Sequence, residues 1–230
     1  ELRLPPPGGD VIGRRRLDTH FLALEALGAE VRYDRILEFN ANGLKGANIL
    51  FDEASVTATE NAVMAAVLAE GKTIIRNAAS EPHVQELCLL LNSMGAKIDE
   101  IGSNTLHIEG VPRLHGGEFT IGADYLEVIS FVGAAVVTKG NIRIRNAGIK
   151  YLDMVKIVME RLGVCWEVDG DDLLISNEQS MQITPDYGGA IPEIKTNVWP
   201  AFPTDLISIV ITIATQSEGT VMFHDWMYSG

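Results

Sequence analysis

An internal repeat is the feature that most constrains how this chain can fold. The stretches LEALGAEVRY, LLNSMGAKIDEI and VMERLGVCWEV each place a helix-like apolar stripe before a glycine and then a strand. Their glycines, Gly28, Gly95 and Gly163, stand 67 and 68 residues apart. A fixed period of this kind indicates that the chain is built from copies of one structural unit.

A second set of stretches repeats in the same order. ATENAVMAAVLAEGKTIIRNA, ADYLEVISFVGAAVVTKGNIRIRNA and PTDLISIVITIATQSEGTVMFHD each run from a polar start through an apolar helix to a glycine and a strand. We expect Gly71, Gly140 and Gly219, like the first three glycines, to form the left-handed turn that ends a helix. Each unit is thus predicted to run helix, strand, helix, strand, strand, in a mixed α/β fold. The helices at AVMAAVLA and ISFVGAAVV are apolar nearly all round, which predicts burial on all sides.

The register of the repeats also predicts the domain organisation. Because the sequence opens in a loop and ends on a strand, we expect about three units cut from a longer array. The most favourable boundary lies near GGEFTIGAD, which gives a first domain at 1–122 and part of a second at 123–230.

Composition excludes several classes of function. The 230 residues carry a formal net charge of -13, which disfavours binding to nucleic acid or to anionic membranes. No apolar run approaches the roughly 20 residues of a membrane helix. Two distant cysteines, Cys88 and Cys165, indicate a reducing compartment, and we expect both thiols to be buried. The five histidines lack the spacing of metal ligands, so no metal site is expected.

Three stretches could carry chemistry, each with a structural alternative. In PGGDVIGRRRLD, the arginines at 14–16 suit a phosphate or, equally, a solvated basic turn. In WPAFPTDLIS, Thr204 or Asp205 could simply be the N-cap of a helix. In FDEASVTATEN, Ser55 or Thr57 could be a cap, or the exposed N–H groups there could hold a diphosphate.

Together these stretches resemble one known family. PGGDVIGRRRLDTHFLALEALGAE, LKGANILFDEASVTATENAVMAAVLAEG and FPTD follow each other in the order found in the enolpyruvyl transferases that act on UDP-N-acetylglucosamine, the UDP-N-acetylglucosamine 1-carboxyvinyltransferases. The resemblance covers essentially the whole chain, and the glycine-rich loop and FPTD are specific to this family. It implies an inside-out α/β barrel built from repeats in two domains, with a substrate cleft between them. This chain would cover the middle of such an enzyme.

The resemblance also implies roles for individual residues. Asp10 stands where most members have a loop cysteine that helps to protonate phosphoenolpyruvate, Arg15 matches the arginine that contacts its phosphate, and Asp205 matches the carboxylate that faces the sugar 3-hydroxyl. These three would be catalytic. The substrate-binding set comprises Arg15, Arg16, Leu17, Asp18 and Thr19 along the uridine site, Glu53, Ala54, Ser55, Val56 and Thr57 in the nucleotide loop, and Thr204, Asp205 and Met227 at the sugar.

By this resemblance the chain belongs to a cytoplasmic enzyme of peptidoglycan synthesis, on which cell shape and division depend. It would transfer the enolpyruvyl group of phosphoenolpyruvate to the 3-hydroxyl of UDP-N-acetylglucosamine without a metal or organic cofactor. Asp205 would be the base or its anchor, and Arg15 would stabilise the departing phosphate.

The sequence departs from the family pattern at three positions. Glu53 replaces a usual lysine, Thr57 a usual glycine and Tyr125 a usual arginine. Two alternatives therefore stay open: a noncatalytic homologue that binds sugar nucleotide, and a fragment that is inactive because the remaining chemistry lies in other parts of the enzyme.

Overall fold

In the computed structural model, which describes residues 1–5, 8 and 16–227, the chain divides into two compact units. The first covers Glu1–Ile121 and the second begins at Gly122. None of the described helices is long and apolar enough to cross a membrane.

The first unit combines three helices with two small sheets. Its helices are α1 (Asp18–Ala26), α2 (Val56–Ala66) and α3 (Pro82–Ser93), and its strands are β1 (Leu2–Leu4), β2 (Glu30–Tyr33), β3 (Leu37–Asn40), β4 (Asn48–Leu50), β5 (Lys72–Arg76), β6 (Lys97–Asp99) and β7 (Thr105–Glu109). One sheet has the antiparallel order β1-β3-β2. The other has the order β4-β5-β7-β6, with β4 parallel to β5 and the remaining pairs antiparallel.

The second unit contains a similar set of helices and strands. Its helices are α4 (Tyr125–Val137), α5 (Asp153–Arg161) and α6 (Ile207–Ala214), and its strands are β8 (Ile142–Ile144), β9 (Glu167–Asp169), β10 (Asp172–Ile175), β11 (Glu193–Lys195) and β12 (Met222–His224). The sheet β8-β10-β9 is antiparallel, whereas β11 and β12 pair in parallel. A 3-10 turn, Thr204–Leu206, leads directly into α6.

The order of elements predicted from the repeat is confirmed. The first unit runs α2, β5, α3, β6, β7, and the second runs α4, β8, α5, β9, β10. Each unit also contains one parallel strand pair joined through a helix, β4-α2-β5 and β11-α6-β12. This connection places a helix N-terminus near the carboxyl end of the first strand of each pair.

The first set of repeat glycines ends helices as expected. Gly28, Gly95 and Gly163 have φ angles of 98°, 96° and 79° and directly follow the last turns of α1, α3 and α5. After α1, the amide of Ala29 donates to the carbonyl of Leu24 at 2.9 Å, the 6→1 bond of a Schellman motif. Glycine suits this position because it has no Cβ to oppose a positive φ.

The second set behaves differently, and the prediction for Gly140 is wrong. The left-handed residue after α4 is Lys139, with φ 54°, and the amide of Gly140 closes the motif on the carbonyl of Ala135 at 2.8 Å. Gly71 and Gly219 are left-handed, but they lie in the turns beyond α2 and α6 rather than at the helix ends.

The prediction that α2 and α4 are buried on all sides is also wrong. Met64 of α2 and Phe131 of α4 are 45% and 56% exposed. Each helix packs in its own unit through part of its surface, α2 against α1, α3 and the sheet, and α4 against α6 and β10. A helix that is apolar on every side can therefore still expose one of its faces, and its sequence does not show which face packs against a neighbouring element.

The two cysteines also differ in burial. Cys88 lies in the core of the first unit, as expected, whereas Cys165 is exposed and the prediction for it is wrong. Cys165 lies between α5 and β9, where the side-chain amide of Gln179 pairs with its backbone N–H at 2.7 Å and its carbonyl at 3.0 Å. This pairing satisfies the backbone N–H and carbonyl of Cys165, and its thiol lies at the surface.

Candidate functional site

Two of the three candidate stretches, FDEASVTATEN and WPAFPTDLIS, lie in loops that follow the first strand of a parallel pair. After β4, the amide of Phe51 donates to the carbonyl of Arg76 at 3.0 Å, and after β11 the amide of Thr196 donates to the carbonyl of His224 at 3.0 Å. Beyond these bonds the chain leaves the sheet and enters α2 or the turn before α6. The carboxyl ends of parallel strands are frequent ligand sites, because loops and helix N-termini with free N–H groups meet there.

In the first unit, a guanidinium joins the start of α1 to the loop after β4. Arg16 donates from Nη2 to Asp52 Oδ2 at 2.7 Å and from Nε to Asp18 Oδ2 at 3.3 Å. Its Nη1 also lies 3.9 Å from Glu53 Oε2. The hydroxyl of the buried Thr19 donates to Asp52 Oδ1 at 2.9 Å and lies 3.3 Å from Glu53 Oε1. We call these five residues the Arg16 cluster.

The charges of the Arg16 cluster are coupled. The hydrogen bonds from Arg16 and Thr19 hold the pKa of Asp52 below its usual value, and Asp52, followed by Asp18, raises the pKa of Arg16. With one guanidinium and three carboxylates, the cluster is rich in acceptors. Its surface therefore suits the hydroxyl and N–H donors of a ligand, because the guanidinium of Arg16 is already paired with carboxylates.

A neutral histidine lies next to this cluster. The amide Nδ2 of Asn61 is 2.8 Å from His20 Nδ1, and the hydroxyl of Thr57 is 3.3 Å from His20 Nε2. Because an amide NH2 group can only donate, Nδ1 is the acceptor and Nε2 carries the proton. Burial lowers the pKa of His20, and the nearby Glu53 opposes this effect. His20 thus connects α1 to α2 in its uncharged form.

The capping hypothesis for the loop after β4 is confirmed at Ser55. Its hydroxyl accepts from the amide of Ala58 at 3.4 Å at the start of α2. Thr57 is not the cap, because it lies inside α2 and contacts His20. A capping serine does not exclude a ligand, since the other N–H groups of the first turn need partners as well.

In the second unit, Asp225 is the centre of a hydrogen-bonded cluster. Its Oδ1 accepts from the hydroxyl of Thr196 at 2.7 Å, from the hydroxyl of Thr204 at 3.2 Å and from the amide of Met227 at 3.5 Å. The indole N–H of Trp226 donates to the carbonyl of Thr196 at 2.9 Å. These bonds connect the ends of β11 and β12 with the turn that precedes α6.

The capping hypothesis for Thr204 and Asp205 is wrong. Neither the turn Thr204–Leu206 nor α6 has a side-chain cap, and the N-cap positions are Pro203 and Leu206. Thr204 bonds to Asp225 instead. The side chain of Asp205 is exposed and makes no hydrogen bond or ion pair with any residue that the structure describes, so its carboxylate is available to a ligand.

The remaining predicted site residues are distributed as follows. Asp10 and Arg15 lie outside the described residues. Leu17 is the N-cap residue of α1, and its carbonyl accepts from the amide of His20 at 3.0 Å. Ala54 and Val56 are half-buried beside the capping serine. Within the first unit, therefore, the segment at 16–19 and the loop at 53–57 come together.

Sequence reasoning missed several residues at these sites. They are Asp52, His20, Asn61, Thr196 and Asp225. Asp52 directly precedes the acidic residue of the recognised loop, and Asp225 directly follows β12, so position at a strand end was the available signal.

Comparisons with known proteins identify the family of the chain. Residues 4–225 match the family model of EPSP synthase (3-phosphoshikimate 1-carboxyvinyltransferase). The chain is 55% identical over 98% of its length to the UDP-N-acetylglucosamine 1-carboxyvinyltransferase of Treponema pallidum, and 51% identical over 99% to that of Bradyrhizobium diazoefficiens. It covers 53% of each of these proteins and thus spans about half the length of the curated relatives it matches.

Solved structures show the same fold at low sequence identity. The enolpyruvyl transferase NikO from Streptomyces tendae matches 97% of this chain and 53% of its own, with a TM-score of 0.76 and 20% identity. The EPSP synthase of Acinetobacter baumannii matches 94% of this chain and 50% of its own, with a TM-score of 0.63 and 16% identity. The mixed α/β fold predicted from the repeats is confirmed, and the chain belongs to the EPSP synthase (3-phosphoshikimate 1-carboxyvinyltransferase) family.

Proposed function

We propose that this chain forms part of a cytoplasmic enzyme that transfers the enolpyruvyl group of phosphoenolpyruvate to the 3-hydroxyl of UDP-N-acetylglucosamine, in peptidoglycan synthesis. The observation that carries the proposal is 55% identity over 98% of the chain to a UDP-N-acetylglucosamine 1-carboxyvinyltransferase. The exposed carboxylate of Asp205 supports it, because that side chain has no structural partner among the described residues.

In this proposal the second unit contributes the base. Transfer requires removal of the sugar hydroxyl proton, a proton at C3 of phosphoenolpyruvate and stabilised departure of phosphate. Asp205 accepts the hydroxyl proton or anchors the group that does so. Met227 contacts the sugar, and Asp10 and Arg15 act on phosphoenolpyruvate, as the resemblance of their loop implies.

The first unit binds the nucleotide. The acceptors of Asp18 and Glu53, which Arg16 holds in place, suit the N–H and hydroxyl donors of a nucleoside, and the first-turn N–H groups of α2 suit its diphosphate. A domain boundary at 122/123 belongs to the same proposal, and the division of the chain into two compact units supports it.

The test uses an enzyme in which this sequence is extended to the length of its relatives, called here the completed enzyme. With both substrates present, it is expected to release phosphate. Asp205→Asn should lower turnover about 100-fold or more, the range for loss of a general base, without loss of folded protein. Asp172→Asn is a matched control in the same unit, since Asp172 bonds to Arg143 and the amide of Asn146 far along the chain from the turn.

Turnover that stays unchanged in Asp205→Asn rejects the catalytic role. The noncatalytic alternative, which Glu53 and Tyr125 keep open, predicts a different result. In that case UDP-N-acetylglucosamine gives a calorimetric binding signal with the completed enzyme, but phosphate is not released.

A further inference from the structure

We propose that Asp225 is a positioning residue that fixes the turn carrying Asp205, an inference that rests on the proposed role of Asp205. We infer no contact between Asp225 itself and the substrate. It directly follows β12, whereas Asp205 lies at the start of α6, so the two are joined by tertiary contacts rather than by local sequence.

The first step of the argument is that one carboxylate oxygen connects a fixed point to the turn. Asp225 Oδ1 accepts from Thr196 at 2.7 Å and from Thr204 at 3.2 Å. Thr196 directly follows β11 and has no exposed surface, and Thr204 directly precedes Asp205. Because this one oxygen accepts from both hydroxyls, it holds the turn that begins at Thr204 against the residue that follows β11.

The second step is that the fixed point is itself well held. The amide of Thr196 continues the parallel pairing onto the carbonyl of His224 at 3.0 Å. Its carbonyl accepts the indole N–H of Trp226 at 2.9 Å, and its hydroxyl donates to Asp225. All three hydrogen-bonding groups of Thr196 are thus used, and they all bind the segment that contains Asp225.

The third step is that a single side-chain hydrogen bond holds the exposed part of the turn. The structure gives Thr204–Leu206 no side-chain cap, and the Thr204–Asp225 bond is the one side-chain hydrogen bond made by these three residues within the described part of the chain. Leu206 is buried and anchors the far end of the turn. Phe202 and Pro203, which precede the turn, are also buried, so the bond to Asp225 fixes the segment between two packed ends.

Such a bond affects the rate because a reacting group must be placed accurately. A displacement of about 1 Å can cost about 100-fold in rate. A positioning residue should therefore affect turnover through Asp205 and leave substrate affinity nearly unchanged.

The experiment compares five variants of the completed enzyme. Asp225→Ala should lower kcat about 10- to 100-fold while the KM values of both substrates change by less than about threefold. Asp225→Asn keeps an acceptor oxygen and should recover most of that loss. Asp172→Ala, which removes a carboxylate with a similar number of bonds on another sheet, should lower stability comparably but leave kcat unchanged. In Asp205→Asn, the added change Asp225→Ala should cause no further loss, because both act through one group.

Each result decides the question. A normal kcat in Asp225→Ala, together with a large loss in Asp205→Asn, overturns the inference and leaves the proposed function intact. An Asp225→Asn variant as slow as Asp225→Ala also overturns it, because the acceptor would not then be the relevant property. A normal kcat in Asp205→Asn instead refutes the proposed function. Should Asp225→Ala fail to fold, Thr204→Val removes only the linking hydroxyl, and a kcat that stays normal in that variant overturns the inference.

Discussion

At the scale of single residues, the half-buried His20 makes stability depend on pH. Its pKa is lowered from an ordinary value of 6.5 by burial, so the unfolded chain binds the proton at a higher pH than the folded chain does. The contribution of uncharged His20 to stability is therefore complete at pH values above 6.5. It is lost as the pH falls through the lower pKa of the folded state. We expect the free energy of unfolding in urea to decrease from pH 7.5 to pH 5.5, and to decrease less in His20→Gln. An equal decrease in both proteins would contradict this.

The two thiols should differ sharply in reactivity. Burial raises the pKa of Cys88 to about 11, whereas Cys165 is exposed. Because the thiolate is the reactive form, a disulfide reagent at pH 8 should modify one thiol per folded chain and the second only after unfolding. Cys165→Ser should show no fast reaction. Two fast thiols in the folded protein would refute the assignment.

Asp10 lies outside the described residues, and its proposed role rests on sequence. We expect the neighbouring arginines at 14–16 to favour the ionised carboxylate until a bound phosphate engages them, after which Asp10 would take up a proton and donate it. A carboxylate is also a poorer nucleophile than a thiolate. We expect the epoxide fosfomycin, which alkylates the loop cysteine of UDP-N-acetylglucosamine 1-carboxyvinyltransferases, to leave the completed enzyme unmodified and to form an adduct with Asp10→Cys. Mass spectrometry measures both outcomes, and an adduct mapped to Asp10 would refute the hypothesis.

At the scale of elements, the helix ends show how a repeat tolerates variation. Lys139 takes the left-handed position after α4 that glycines take after α1, α3 and α5. A side chain there costs about 1–2 kcal/mol relative to the right-handed conformation. Lys139→Gly should therefore raise the free energy of unfolding by about 1 kcal/mol. Gly28→Ala should lower the free energy of unfolding by a similar amount, because φ is 98° at Gly28. An added Cβ there would meet no other atom within 4 Å, so backbone strain is the only cost. Chemical denaturation measures both, and a destabilised Lys139→Gly would contradict the argument.

At the scale of the whole molecule, the chain matches 53% of the length of a related transferase. The resemblance assigns further phosphoenolpyruvate contacts to segments outside this sequence, a lysine and asparagine pair and a phosphate-binding arginine. We therefore expect the 230-residue chain to release no phosphate from phosphoenolpyruvate and UDP-N-acetylglucosamine, under conditions in which the completed enzyme does. Steady release that depends on both substrates would show that the chain is sufficient.

Much of the fold and part of the site follow from the sequence because their signals are local. A helix places its apolar residues and its C-terminal glycine within about four turns, so the order of elements and the turns at Gly28, Gly95 and Gly163 could be predicted. The cap at Ser55 is equally local, since the hydroxyl and the amide it accepts are three residues apart. The family motif FPTD predicted a role for Asp205. Only the structure showed that Asp205 does not cap the helix.

Contacts between distant residues were decided by the tertiary structure. Arg16 and Asp52 are 36 residues apart in sequence, and Thr204 and Asp225 are 21 apart, and no periodicity links either pair. The exposure of Cys165 and Phe131 depends in the same way on which faces neighbouring elements cover. The sequence by itself determined the repeating helices, strands and turns, because their hydrogen bonds close within a few residues. Only the tertiary structure determined which carboxylates meet Arg16 and Thr204, because packing alone brings the ends of separate strands and helices together.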